Sequence, residues 1–289
     1  MTGTDLRDFP VPDECRGWVE QMFRELDVKV SRQTARQGGP MMHQDGAIRD
    51  DRDCGKKDTC STKDAAALYE AVLSGNYAQA LNLCRNALAR PDIGAHGIYT
   101  ALMLPAIRMV GQAWADDSAS FGQTSLGFSL LHRLLDRLAH DMASNGLSGV
   151  DRKLQAVQQR IMVAVAPGDS HSFGAMILTQ ELRLRGWFVT FYDHSQSDAV
   201  ITALAEQGFD TLAISVSCDE SLVGLADFVT TCRVANRNPQ LEILIGGAAI
   251  QAPLGQYGFL QADKVGLNIE EVVNVLSSRE ADLQRDKWN

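Results

Sequence analysis

The stretch "IMVAVAPGDSHSFGAMILTQEL", Ile161 to Leu182, decides how this chain is read. Its first part, within "RIMVAVA", is an apolar run of the length and composition of a buried strand. "AMILTQELRLRG" then puts Ala175, Leu178 and Leu182 on one face of a helix. Between the two stand Asp169, His171 and Gly174. A tight turn calls for glycine and serine, but it has no need of a histidine two residues after a carboxylate.

Downstream the strand–helix rhythm repeats. "WFVTFYD" and the helix "SDAVITALAEQG" come next, then "DTLAISVS" and "LVGLADFVTTCRVA", then "LEILIGG". A weaker "ADKVGLN" and the helix "IEEVVNVLSS" close the set. Apolar strands alternating with amphipathic helices predict a parallel sheet covered on both faces. Five strands fit the flavodoxin-like order 2-1-3-4-5, whose ligands lie beyond the carboxyl ends of the strands at the switch between strands 1 and 3. The unusual residues fall on that edge: Asp169, Ser170, His171 and Gly174 after strand 1, Ser215 and Ser217 closing strand 3, Gly246 and Gly247 closing strand 4.

Upstream the texture is helical. "KDAAALYEAVLSGNYAQALNLCRNALAR" reads as two helices broken at Gly75-Asn76, ended by Pro91. "HGIYTALMLPAIRMVGQAWADD" is a third, which Pro105 should kink. "FGQTSLGFSLLHRLLDRLAHDMAS" is a fourth, with an apolar stripe through Leu126, Leu130, Leu134 and Leu138 and with Leu131 and Leu135 beside it. The fold class is thus α/β: a flavodoxin-like five-stranded parallel sheet preceded by a four-helix bundle cap. The expected divisions are an arm over 1–62, the bundle over 63–146, a hinge over 147–160 and the sheet domain over 161–289. The arm is polar apart from one amphipathic segment, "RGWVEQMFRELDVKV".

Composition narrows the partners. The net charge is −9, which gives no basic footprint for a phosphate backbone, so no direct nucleic-acid contact is expected. No run approaches the ~18 apolar residues of a membrane helix, and the first residues lack a secretory core. Six cysteines in 289 residues do not form a disulfide framework. Cys54 and Cys60 are the close pair, read as solvated thiols because a zinc site would need further ligands at matching spacing. A cytoplasmic location is expected; the oligomeric state is not legible.

A response-regulator receiver would place an acidic pair after strand 1 and an aspartate at the end of strand 3, where this chain has Ser215 to Ser217. "PGDSHSFG" is also a poor flavodoxin phosphate loop. "DSHSFG" instead matches D-x-H-x-x-G, and with "SVS" and "GG" it resembles the signature of cobalamin-binding domains. That pattern runs D-x-H-x-x-G, S-x-L roughly forty residues on, then GG. Ser217 replaces its leucine.

The resemblance implies cobalamin as cofactor, in an adenosyl, methyl or hydroxo form that the sequence leaves open. His171 would ligate cobalt from below, displacing the cofactor's own base, with Asp169 on its other ring nitrogen. Gly174 would keep the corrin unobstructed, Ser215 would bond the displaced tail, and Gly246 and Gly247 would make room for it. Trp114 would lie over the upper face. The light-sensing CarH-type repressors carry W-x9-E-H there, but Trp114 is followed at that spacing by Thr124 and Ser125. A cap and cobalamin domain with no DNA reader resembles the AerR/PpaA antirepressors over about residues 63 to 280. That likeness implies a light-responsive, non-enzymatic regulator of photosynthesis genes, acting on a PpsR/CrtJ-type repressor protein. The alternatives are a methyltransferase's corrinoid carrier subunit and a haem-binding redox sensor. His132 and His140 are read as solvated, His96 as loop, and His194 as a surface residue.

Overall fold

The computed structural model describes residues 61–144, 159–193, 196–250 and 254–286. All but the last two residues of the expected arm, most of the expected hinge, and His194 lie outside them.

The cap starts with α1 (Ser61–Leu73) and α2 (Tyr77–Leu88). They part where expected: Gly75 takes φ +74°, and the Asn76 side chain caps α2 by accepting from the Gln79 N–H. A short α3 (Gly94–Gly97) runs into a π-helical turn, Ile98–Met103, and then α4 (Leu104–Ala115). The Leu104 N–H reaches back to the Tyr99 carbonyl. Pro105, whose missing N–H was expected to kink this helix, thus follows a widened turn that takes up the irregularity. α5 (Phe121–Ser144) completes the cap, with Leu131, Leu134, Leu135 and Leu138 fully buried, whereas Leu126, expected on the same stripe, is 43% exposed near the start of the helix.

Beyond the cap come β1 (Arg160–Val165), α6 (Phe173–Leu184), β2 (Phe188–Tyr192), α7 (Ser197–Gln207), β3 (Thr211–Ser215) and α8 (Leu225–Ala235). They are followed by β4 (Glu242–Gly246), β5 (Lys264–Leu267) and α9 (Ile269–Asp286). Among the described residues the strands form one five-stranded sheet in the order β2-β1-β3-β4-β5 with every pairing parallel. The flavodoxin-like order holds.

Alternation along the strands splits the core between two faces. Ile161, Val163, Val165, Ala213 and Leu244 pack with α6 and α9. Met162, Ala164, Leu212, Ile214, Ile243 and Ile245 pack with α7 and α8. This period of two, with both sides apolar, is why the strands read as unbroken hydrophobic runs.

α6 belongs to two cores. Ala175, Leu178 and Leu182 lie against the sheet, whereas Phe173, Ile177 and Leu184 join Leu68, Tyr99, Leu131 and Leu135 in the core of the cap. A buried carboxylate marks the same contact. Glu181, its side chain 3% exposed, accepts from Arg185 and lies 3.0 Å from Nδ1 of His96 on α3. His96, expected in a loop, therefore joins cap to sheet domain. His132 on α5, expected in solvent, packs edge-on against Phe173 with ring centroids 5.0 Å apart. Burial lowers its pKa to about 4. Polarity of the α5 sequence around His132 did not reveal that α6 would cover it. His140 is exposed as expected. No helix among the described residues is long and apolar enough to cross a membrane.

Candidate functional site

The carboxyl edge of the sheet is built from local rules. After β1, Ala166-Pro167-Gly168-Asp169 closes a turn in which the Asp169 N–H donates to the Ala166 carbonyl at 3.0 Å. Proline at its second position and Gly168 at its third, with φ +77°, are what a type II turn requires. The turn drives Asp169 inward, to 0% exposure.

Buried there, the carboxylate is fully engaged. Oδ1 accepts from the His171 backbone N–H and lies 2.9 Å from His171 Nδ1, while Oδ2 accepts from the backbone N–H of Ser217. Burial alone would raise the pKa of Asp169; the hydrogen bonds from the His171 ring and the Ser217 and His171 amides outweigh it, and the net shift is downward. An anion is therefore held behind an imidazole whose side chain is 58% exposed. With Nδ1 directed to the carboxylate, Nε2 is the nitrogen placed for a metal outside the sheet.

The other motif residues align across the strands. Val165 is in register with Ser215, and Ser215 with Gly246, so the loops after β1, β3 and β4 leave the sheet at one level. Ser217 ties the first two loops together by its backbone, and its Oγ lies 3.5 Å from the His171 carbonyl. Because the anchoring donor is an amide, a serine in place of the signature's leucine leaves the Asp169 contact intact. Ser170 is half-buried between Asp169 and His171.

The glycines divide into two kinds. A Cβ on Gly174, near the start of α6, would meet nothing within 4 Å. A Cβ on Gly246 would strike the Leu267 carbonyl, and one on Gly247 (φ +120°) the Val216 carbonyl. In this structure the room that these two glycines give is taken by neighbouring backbone. Trp114 lies in the cap at the end of α4, its ring 5.9 Å from that of Phe121.

The sequence reading passed over Cys218. Its sulfur lies 2.8 Å from Ser221 Oγ. Burial, and then the charges of Asp169 and Glu220, push the thiol's pKa up against the Ser221 hydrogen bond. The donor atoms of Asp169, His171 and Cys218 all lie within 4.8 Å of one another. Proximity to the S-x-S segment was the available signal. Elsewhere, an open groove of about 690 Å³ runs along the β2 edge, lined by Met176, Arg183, Trp187 and Phe188 among others. None of the motif residues lines it.

The arrangement fits a corrinoid: an exposed imidazole braced by a buried carboxylate, three residues before a glycine whose missing side chain would meet open space. Comparison with known proteins agrees. Residues 159–266 match the family model of the B12 binding domain, so this α/β unit carries the B12-binding fold, and cobalamin binding is the supported activity. The chain is 25% identical over 172 residues to an uncharacterized 20.5 kDa protein in the bchF-crtJ intergenic region of Rhodobacter capsulatus. That match spans 60% of this chain and 86% of the relative. Among solved structures, the monomethylamine corrinoid protein of Methanosarcina barkeri superposes with a TM-score of 0.59 at 20% identity. It covers 75% of this chain and 98% of that one, a likeness of fold that extends beyond the sheet domain into the cap.

Proposed function

We propose that this chain is a cobalamin-dependent, light-responsive regulator that acts through a partner repressor of the PpsR/CrtJ type. His171 would hold the cobalt through its imidazole. The observation that carries the reading is the pairing of an exposed imidazole with a carboxylate at 0% exposure on the carboxyl edge of the sheet.

Each residue has a separable task. Asp169, kept ionised by its N–H donors, holds Nδ1 and so fixes the tautomer that presents Nε2. Ser217 holds Asp169 in turn. Gly174, where a Cβ would meet open space, is assigned to keeping the corrin unobstructed. Ser215 and Trp114 are assigned to the cofactor's tail and upper face. In an adenosyl or methyl form the cofactor would supply a light-sensitive cobalt–carbon bond.

Regulation is favoured over methyl carriage by the partner implied by the relative's gene, which lies beside crtJ. It is also favoured by the continuity of α6 from the His171 loop into the core of the cap. A change at His171 has a packing route through Phe173, Ile177 and Leu184 into the core of the cap, as a switch between two arrangements of cap and sheet would require.

The deciding experiment is an absorption spectrum of the full chain, purified in the dark and reconstituted with adenosyl-, methyl- or hydroxocobalamin. Corrin bands are expected, with a change in spectrum, elution volume and repressor binding on illumination. Cofactor retention unchanged in His171→Ala would remove the ligand assignment. A Soret band in the protein as isolated would replace cobalamin by haem. Methyl transfer with a cognate methyltransferase, without any light response, would make the chain a carrier.

A further inference from the structure

The loop after β3 brings a thiol to the Asp169–His171 pair, a residue type that the cobalt assignment does not use. Carboxylate oxygen, imidazole nitrogen and Cys218 sulfur lie within 4.8 Å of one another. A borderline divalent ion bound by one oxygen, one nitrogen and one sulfur, with a fourth position left to water, needs little more than a local closing of this cluster.

The surroundings favour a cation. Asp219 and Glu220 follow Cys218 directly. No lysine or arginine occurs in residues 166–182, 211–232 or 245–263, which include all three loops at this edge. The carboxylate would also survive the exchange. Its bonds to the His171 and Ser217 amides do not involve the imidazole ring, so a metal would replace only the Asp169–Nδ1 hydrogen bond.

We propose that, in the corrinoid-free chain, Asp169, His171 and Cys218 form a site for a divalent transition ion of zinc type. Binding requires the imidazole tautomer with its proton on Nε2, and the Cys218 thiol gives its proton to solvent as the metal–sulfur bond forms. No oxidation state changes. The ion uses Nδ1, whereas the corrinoid uses Nε2 with Nδ1 on Asp169, so the two occupants exclude one another. That exclusion rests on the cobalamin reading; binding of the ion does not.

The test is a titration of the full, corrinoid-free chain with Co²⁺ as a spectroscopic probe, in a Cys54→Ser/Cys60→Ser background so that those thiols contribute nothing. A thiolate-to-cobalt charge-transfer band is expected, displaced by Zn²⁺. Cys218→Ser should abolish the band and weaken Zn²⁺ binding at least about tenfold, the loss that removing even an outer-sphere partner produces. His171→Ala should weaken it similarly, with the melting temperature of each variant showing that it has folded. No band in the parent, or a band that persists in a folded Cys218→Ser variant, overturns the site. Hydroxocobalamin retention, measured separately on metal-free protein, tells failure of this site from failure of the cobalamin reading. Retention that falls as Zn²⁺ is added establishes the exclusion, and retention indifferent to saturating Zn²⁺ refutes it.

Discussion

Asp169 shows how much of the site depends on one buried anion. It accepts from two backbone amides and faces an imidazole nitrogen, so its geometry survives only while it is ionised. Asp169→Asn retains the shape but replaces an acceptor oxygen by an amide donor and removes the negative charge that faces Nδ1 of His171. Corrinoid affinity is expected to fall by about 10- to 100-fold, as for other outer-sphere partners of metal ligands, and is measured by equilibrium dialysis of the folded variant. Unchanged affinity would show that the ring is oriented by something else. Asp169 and His171 could be singled out in the sequence because their spacing was unnecessary for a turn. The role of Ser217 could not, because it acts through a backbone amide that any residue except proline supplies. Cys218 escaped for a related reason: its meaning depends on a contact with residues some fifty positions away, which no local pattern encodes.

The strands and α5 were readable because their periodicities are strong: two apolar faces per strand, and a leucine stripe that is buried from Leu130 onward, with only Leu126 left exposed. α6 was only half read. Ala175, Leu178 and Leu182 gave its sheet face, but Phe173, Ile177 and Leu184 form a second face that becomes meaningful only once the cap is in place. The same packing buries His132, and this has a pH signature. In the unfolded chain His132 takes a proton as the pH falls through 6.5, whereas in the folded chain it resists until about 4. The unfolded state then binds more protons, so stability is lost as the pH falls from 6.5 to 4, and none is lost through this residue above that window. In His132→Leu the fall in denaturation midpoint between pH 7 and pH 5 should be smaller than in the parent. An equal fall would mean that the imidazole is solvated in the native state. The π-helical turn before Pro105 was not legible either, since proline announces a missing hydrogen bond without saying how the neighbouring turns absorb it.

From Ser61 to Asp286 the described chain stacks as cap, α6 and α9, sheet, and α7 with α8, and its ends of the sheet differ in purpose. At the amino edge Asp210 and Arg279 fasten strand starts together: the Arg160 N–H donates to Asp210, and Arg279 to Glu242 and to the Asp210 carbonyl. At the carboxyl edge the polar groups surround His171. Because α6 lends side chains to both hydrophobic interiors, neither can dissolve without stripping the other of its partner. Heating should therefore give a single calorimetric peak whose van't Hoff and calorimetric enthalpies agree; two resolved peaks would refute the coupling. The helix that emerges from the His171 loop is thus a party wall between two rooms, and a proteolytic cut that removed the cap would expose the apolar side of that wall to water.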